Sequence, residues 1–99
     1  MGPLFSVIIP TYNEEKMIGG LLQELAKVRK KQKIEIIVSD GKSVDNTVQV
    51  AKRYGAKIIV AQSNIASAKN YGALIAKGKI LVFLDADVRF KNVDGFLAR

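Results

Sequence analysis

The 99-residue sequence contains no cysteine and no histidine. Their absence excludes disulfides, thiolate nucleophiles, imidazole bases and the usual zinc sites in one step. Any chemistry must run on carboxylates, lysines, hydroxyls, backbone amides and hard cations. No apolar run approaches the ~20 residues that a membrane-spanning helix needs. The first residues also lack the basic segment and cleavage site of a secretory signal, and we expect a cytoplasmic protein. The opening MGPLFS formally matches the myristoylation pattern at Gly2 and Ser6, but Pro3 and the immediate apolar run read as the lead-in to a strand. The G-x-x-x-x-G-K-[ST] phosphate loop is missing, which excludes NTPases of that type.

What is present suits one small domain. Apolar residues make up 48% and charged residues 25%, an ordinary composition for a globular chain. The net charge is +7, with a cluster at Lys27, Arg29, Lys30, Lys31 and Lys33. Cations there suit the negative end of a helix dipole, or else a peripheral contact with an anionic membrane surface. Without interleaved aromatics, nucleic acid is the weaker partner, and we expect none.

Four short Ile- and Val-rich runs, at residues 5–10, 34–40, 57–61 and 79–85, alternate with helical patterns. Their apolar character is unbroken rather than alternating, which predicts strands covered on both faces of a parallel sheet. Ile18, Leu21, Leu22 and Leu25 repeat as one helix face, with Asn13 as the expected N-cap. A second helix is expected over residues 45–54, with Val44, Val48 and Ala51 inward and Gly55 past its end. A third is expected over residues 65–77, with Ile65, Ala68, Gly72, Ile75 and Ala76 on one face and Gly78 as the C′ residue. The β-α-β-α-β-α-β order predicts an α/β three-layer fold, a Rossmann-like parallel sheet with helices on both faces and strand order 3-2-1-4. In such sheets ligands bind at the carboxyl ends of the strands, where the order reverses.

Three strand ends carry informative residues: PTYNEE after the first, SDGKSVDNT after the second and DADVRF after the fourth. The last includes Asp85-Ala86-Asp87. Two carboxylates at i and i+2 can bear on one Mg²⁺ or Mn²⁺, which accepts one or two such oxygens together with phosphate oxygens and waters. A solvated turn is the plain alternative.

The segments SVIIPTYNEE, IIVSDGKSVDNT and ASAKNYGALIAKGKILVFLDADV closely resemble family 2 glycosyltransferases, in the right order and spacing from Phe5 to Val88. That family has the nucleotide-sugar-binding GT-A fold. The resemblance implies a nucleotide-diphosphate sugar donor of the UDP or GDP type, a divalent metal (Mn²⁺ or Mg²⁺) and transfer with inversion at the anomeric carbon. Carried over by position, Pro10, Thr11, Tyr12 and Asn13 form the loop near base and ribose, and Glu14 stands at the adjacent helix start. Asp40 contacts the nucleobase, Lys69 and Asn70 lie near the diphosphate or support the loops, Asp85 approaches ribose or metal, and Asp87 is the principal metal ligand.

Each also has a structural reading. Asn13 caps a helix, Asp40 and Asp45 serve a turn and a cap, Lys69 is solvated, and Asn70 bonds a loop. Tyr12 either stacks on the base or packs as a lid, and Gly72 permits close packing. As a loop acid, Asp40 is expected to carry little stability. Ser39 stands where family members often carry a second acid, which bears on base identity. The family's second half supplies the acceptor groove and the catalytic base, and nothing in these 99 residues matches it. We therefore expect a partial, donor-binding domain, incomplete for catalysis as it stands. Asp94, the one acid after Asp87, reads as a polar residue of a turn.

Two further function classes compete. ILVFLDADV fits the nucleophile motif of haloacid-dehalogenase-type phosphatases, but their later lysine and acid pair is not found downstream. A non-catalytic nucleotide-binding or interaction module is the other alternative. The fourth strand is expected at a sheet edge with no charge between Lys79 and Asp85, which predicts self-association, most simply as a homodimer.

Overall fold

The structure, a computed structural model, describes residues 2–90. The elements are β1 (Phe5–Thr11), α1 (Glu15–Arg29), β2 (Ile34–Asp40), α2 (Thr47–Arg53), β3 (Lys57–Val60), α3 (Ile65–Ile75) and β4 (Ile80–Phe83). The four strands are parallel in the order β3-β2-β1-β4, as expected. Helices α1 and α2 pack together on one face, and α3 covers β1 and β2 on the other. Asp94 lies outside the described residues.

Unbroken apolar runs correctly mark the two central strands, in which every residue is buried. Phe5, Val7 and Ile9 of β1 and Ile34, Ile36 and Val38 of β2 share one core with Ile18, Leu21, Leu22 and Leu25 of α1. Each such side chain removed from water contributes about 1.5–3 kcal/mol before entropy is counted. On the opposite face Ile8 meets Gly72 of α3, where an added Cβ would sit 2.4 Å from Ile8 Cγ2. Gly72 is therefore the close-packing residue its position suggested.

The same pattern misleads at the edges. β3 and β4 are shorter than their apolar runs, and Val60, Ile80, Leu81 and Phe83 are 40–49% exposed. Edge strands have one neighbour only, and among the described residues no further strand pairs with β3 or β4.

The helix ends also depart from expectation. Asn13 is not the N-cap of α1; it sits at φ 53, and Glu14 takes the cap position without a side-chain cap bond. The first turn is instead capped from the β2–α2 loop. Glu14 N–H donates to Thr47 Oγ1 at 2.8 Å, and Glu15 N–H donates to Asp45 Oδ2 at 3.3 Å. Helix α2 starts two residues later than expected, because Asp45 bonds Thr47 N–H and leaves Val44 in solvent at 85% exposure. Its inward face is Thr47, Val50, Ala51 and Tyr54 rather than Val44 and Val48. Gly55, at φ 75, does end it: Gly55 N–H donates to Lys52 O and Ala56 N–H to Ala51 O, the paired bonds of a Schellman motif.

Helix α3 stops at Ile75, and Ile65 at its start is 66% exposed. Gly78 is not its C′ residue. It lies against β1, where a Cβ would fall 2.6 Å from Ser6 N, and its N–H donates to Ser6 Oγ. Glu35 anchors this region, accepting from Ser6 Oγ, from Lys77 N–H and from Lys57 Nζ at 2.7 Å. Burial alone would raise its pKa, but these donors outweigh it and hold the carboxyl down at about 2.

Candidate functional site

The β1–β4 register sets Ile8 against Phe83, and Ile8 O accepts from Leu84 N–H. Two residues on, Asp85 comes level with Pro10 at the point where strand order reverses. A cleft of about 1070 Å³ opens there, lined by Pro10, Thr11, Tyr12 and Glu14 on one side and Asp85 and Asp87 on the other. Its volume lies just above the usual range for ligand pockets, about 300–1,000 Å³.

The D-x-D turn has a built geometry. Ala86 is 1% exposed and belongs to the core, while the flanking acids are exposed to the cleft. Val88 N–H donates to Asp85 O at 3.1 Å and closes the turn. Arg89 then straps the turn to α1, donating to Ala86 O, to Val88 O and to Met17 O. Its guanidinium passes over Gly20, where a Cβ would lie 2.4 Å from the nearest nitrogen. Gly20 thus opens the slot for Arg89, whereas its neighbour Gly19 has only ordinary contact with Val50.

Glu14 shares the field of these acids. Its pKa is raised by burial and by repulsion from Asp87, Asp45 and Asp85. Among the described residues no group of three or more acidic, cysteine or histidine side chains forms a metal cage. The donor set is therefore two exposed carboxylates in an acidic cleft. That fits Mg²⁺ or Mn²⁺, which complete their shell with waters and phosphate oxygens, and does not suit a cation held entirely by protein.

The β2 loop lines none of the cleft. Asp40 is 1% exposed, and its carboxylate accepts from Thr11 Oγ1 at 2.7 Å, Ser43 N–H at 2.7 Å and Ser43 Oγ at 2.6 Å. Asp40 is thus the buried last residue of β2 rather than a loop acid, and its three bonds argue against the expectation that it carries little stability. Asn13 points into the same loop: its Oδ1 accepts from Val44 N–H, and its own N–H donates to Ser43 Oγ. The loop thus supports the β1 loop from behind. Tyr12 stands free of it, 59% exposed on the cleft.

Lys69 and Asn70 lie off the cleft wall. Lys69 places its ammonium 5.9 Å from the centre of the Phe83 ring, and Asn70 is exposed one residue on. The start of α3 faces the cleft instead, through Ser63, Asn64, Ile65 and Ala66. Asn64 Oδ1 accepts from Ser67 N–H, and Ser67 Oγ from Asn64 N–H, a reciprocal capping box. These residues follow β3, the one strand end that motif reading passed over. The strand-end rule applied to all four strands would have included them.

Known proteins place this geometry. The pattern of glycosyl transferase family 2 matches residues 6–92. Poly(ribitol-phosphate) beta-N-acetylglucosaminyltransferase TarS of Staphylococcus aureus is 36% identical over 91 residues, covering 84% of this chain and 16% of TarS. A mannosyltransferase from Pyrobaculum calidifontis, solved with GDP-Man and Mn²⁺, superposes with a TM-score of 0.77 at 27% identity, covering 95% of this chain and 30% of that one. Glucosyl-3-phosphoglycerate synthase from Mycobacterium tuberculosis, solved with Mn²⁺, UDP and glucosyl-3-phosphoglycerate, gives 0.73 at 26% identity, covering 86% and 34%. The chain therefore spans about a third or less of the length of these proteins. With its sheet order and its cleft at the reversal point, the chain belongs to glycosyl transferase family 2 and has the Rossmann-like architecture of the GT-A fold.

Proposed function

We propose that the cleft binds a nucleotide-diphosphate sugar of the UDP or GDP type together with Mn²⁺ or Mg²⁺, as the donor side of an inverting glycosyl transfer. The observation that carries this reading is the pair Asp85 and Asp87, held on the cleft beside Pro10, Thr11 and Tyr12 at the sheet's reversal point. The neighbours solved with GDP-Man and Mn²⁺, and with UDP and Mn²⁺, support it. Asp87 is the principal metal ligand and Asp85 its partner. When bound, the metal neutralises charge developing on the diphosphate leaving group. Tyr12 offers an exposed ring for the base to stack on. Thr11, with its hydroxyl committed to Asp40, positions the loop. Asp40 acts on the base through this loop, and Glu14 adds to the field that draws the cation in. Lys69 and Asn70 take no part at the wall.

A thermal shift tests the reading. UDP or GDP with Mn²⁺ should raise Tm, since a ligand at a hundred times its Kd adds about 2.7 kcal/mol. No shift with either nucleotide in the presence of metal would refute it. Release of free sugar from the donor with Mn²⁺ separates a transferase domain from a binding-only module. The open β4 edge, with Ile80, Leu81 and Phe83 exposed, supports self-association as a homodimer. Sedimentation that stays monomeric at rising concentration would remove that inference.

A further inference from the structure

Parallel strands joined by returning helices bring every strand start and every helix end to one edge of the sheet, opposite the cleft. Exposed cations collect there from three connections. Lys30 and Lys33 lie between α1 and β2, Lys52 and Arg53 end α2, and Lys77 and Lys79 lie between α3 and β4. Among the described residues acidic charge is nearly absent from this edge. Glu35 is buried, with its carboxylate taken up by Lys57, Ser6 and Lys77 N–H. The opposite edge carries Glu14, Asp45, Asp85 and Asp87. Among the described residues the acids thus gather at the cleft edge, beside Lys16, Lys42 and Arg89, while the far edge carries exposed cations almost alone.

The helix dipole accounts for Lys27 and Arg29, which sit in the last turn of α1. Lys30, the C-cap of α1, belongs with them; Lys33 and Lys79 lie three or more residues past a helix end, next to strand starts, and the dipole does not account for them. A second observation points to the partner. Leu4, just before the central strand β1, is 42% exposed in the middle of these cations. Its N–H donates to Lys33 O at 2.8 Å and its carbonyl accepts from Lys79 N–H at 2.9 Å, so its place is fixed. Pro3, Leu4, Lys33 and Lys79 frame a shallow recess of about 270 Å³.

We propose that this edge is a docking surface for an anionic lipid bilayer. Lysines on either side of a small recess suit phosphate headgroups, and an apolar side chain between them suits the boundary beneath. Nucleic acid fits less well, because the aromatics near this edge, Phe5 and Tyr54, are buried or half-buried rather than offered for stacking. Docked this way, the cleft faces water across the length of a seven-residue strand, roughly 23 Å. A charged, soluble donor reaches it there.

Vesicle flotation with the full chain tests this, using phosphatidylcholine alone and phosphatidylcholine with phosphatidylglycerol. The chain should float only with the anionic vesicles and be released as salt rises. The pair Lys33→Glu and Lys79→Glu should weaken binding at least about tenfold. The pair Lys16→Glu and Lys42→Glu, which makes the same change in net charge on the cleft side, should retain it. Leu4→Ser should lower the salt concentration at which the chain is released, with folding checked by circular dichroism. Equal flotation with both vesicles, no flotation, or equal loss in the two double variants would overturn the proposal. Tighter binding to duplex DNA or RNA than to anionic vesicles would overturn it in favour of nucleic acid.

Discussion

Asp40 shows how one buried side chain ties together the loops beside a site. Its buried carboxylate accepts three hydrogen bonds and ties the end of β1 to the loop that backs the cleft. Asp40→Ala leaves Thr11 Oγ1 and Ser43 N–H without their acceptor, and should cost about 2–3 kcal/mol. Urea unfolding measures it; an unchanged midpoint would mean the loop holds without the acid. Glu35 plays the corresponding part at the opposite edge. Its folded pKa, about 2 against an ordinary 4.5, means that the charged form is favoured in the folded chain. The resulting stability is fully present above pH 4.5 and is lost as pH falls toward 2. Unfolding of wild type and Glu35→Gln across that window should show a slope in the first that is weaker in the second. Parallel curves would assign the acid sensitivity elsewhere.

Among the elements, the turn after β4 and helix α1 are coupled through Arg89 and Gly20. Gly20→Ala should favour the helix by up to ~1 kcal/mol while pushing the guanidinium off Met17 O. Tm is then held or raised, while metal-dependent nucleotide binding weakens about tenfold, as when an outer-shell partner is lost. Calorimetry beside a melting curve separates the two effects, and a fall in Tm with full affinity would make the strap purely structural. The sequence showed β1, β2 and the inward face of α1 clearly, because central strands and an amphipathic helix bury residues in a regular period. It hid the rest for specific reasons. Val44 is apolar but is held out by the Asp45–Thr47 bond. Gly78 resembles a helix stop but serves a close backbone approach to β1. The cap of α1 comes from residues some thirty positions away, which no local pattern reveals. Asp85 and Asp87 were legible as cleft residues because they directly follow an apolar strand at the point where the strand order reverses. Ser63 and Asn64 were not, because a cap and a cleft wall call for the same residue types.

The whole molecule has two unlike edges joined by one sheet. The strand carboxyl ends and the helix starts α1 and α3 build an acidic cleft, while the strand starts and helix ends build a basic face. The same topology produces both, since every helix returns the chain antiparallel to its strand. At the acidic edge, the central claim is that Asp85 and Asp87 hold a divalent cation that in turn holds a diphosphate. Among the described residues no helix is long and apolar enough to cross a membrane. Calorimetric titration of UDP and of GDP, each with and without Mn²⁺, on wild type and Asp87→Ala is the most direct measurement. The account predicts that one nucleotide binds wild type only when Mn²⁺ is present, and that Asp87→Ala, with its melting temperature intact, loses that binding. Equal affinity with and without metal, or an Asp87→Ala chain that binds as well as wild type, would contradict it.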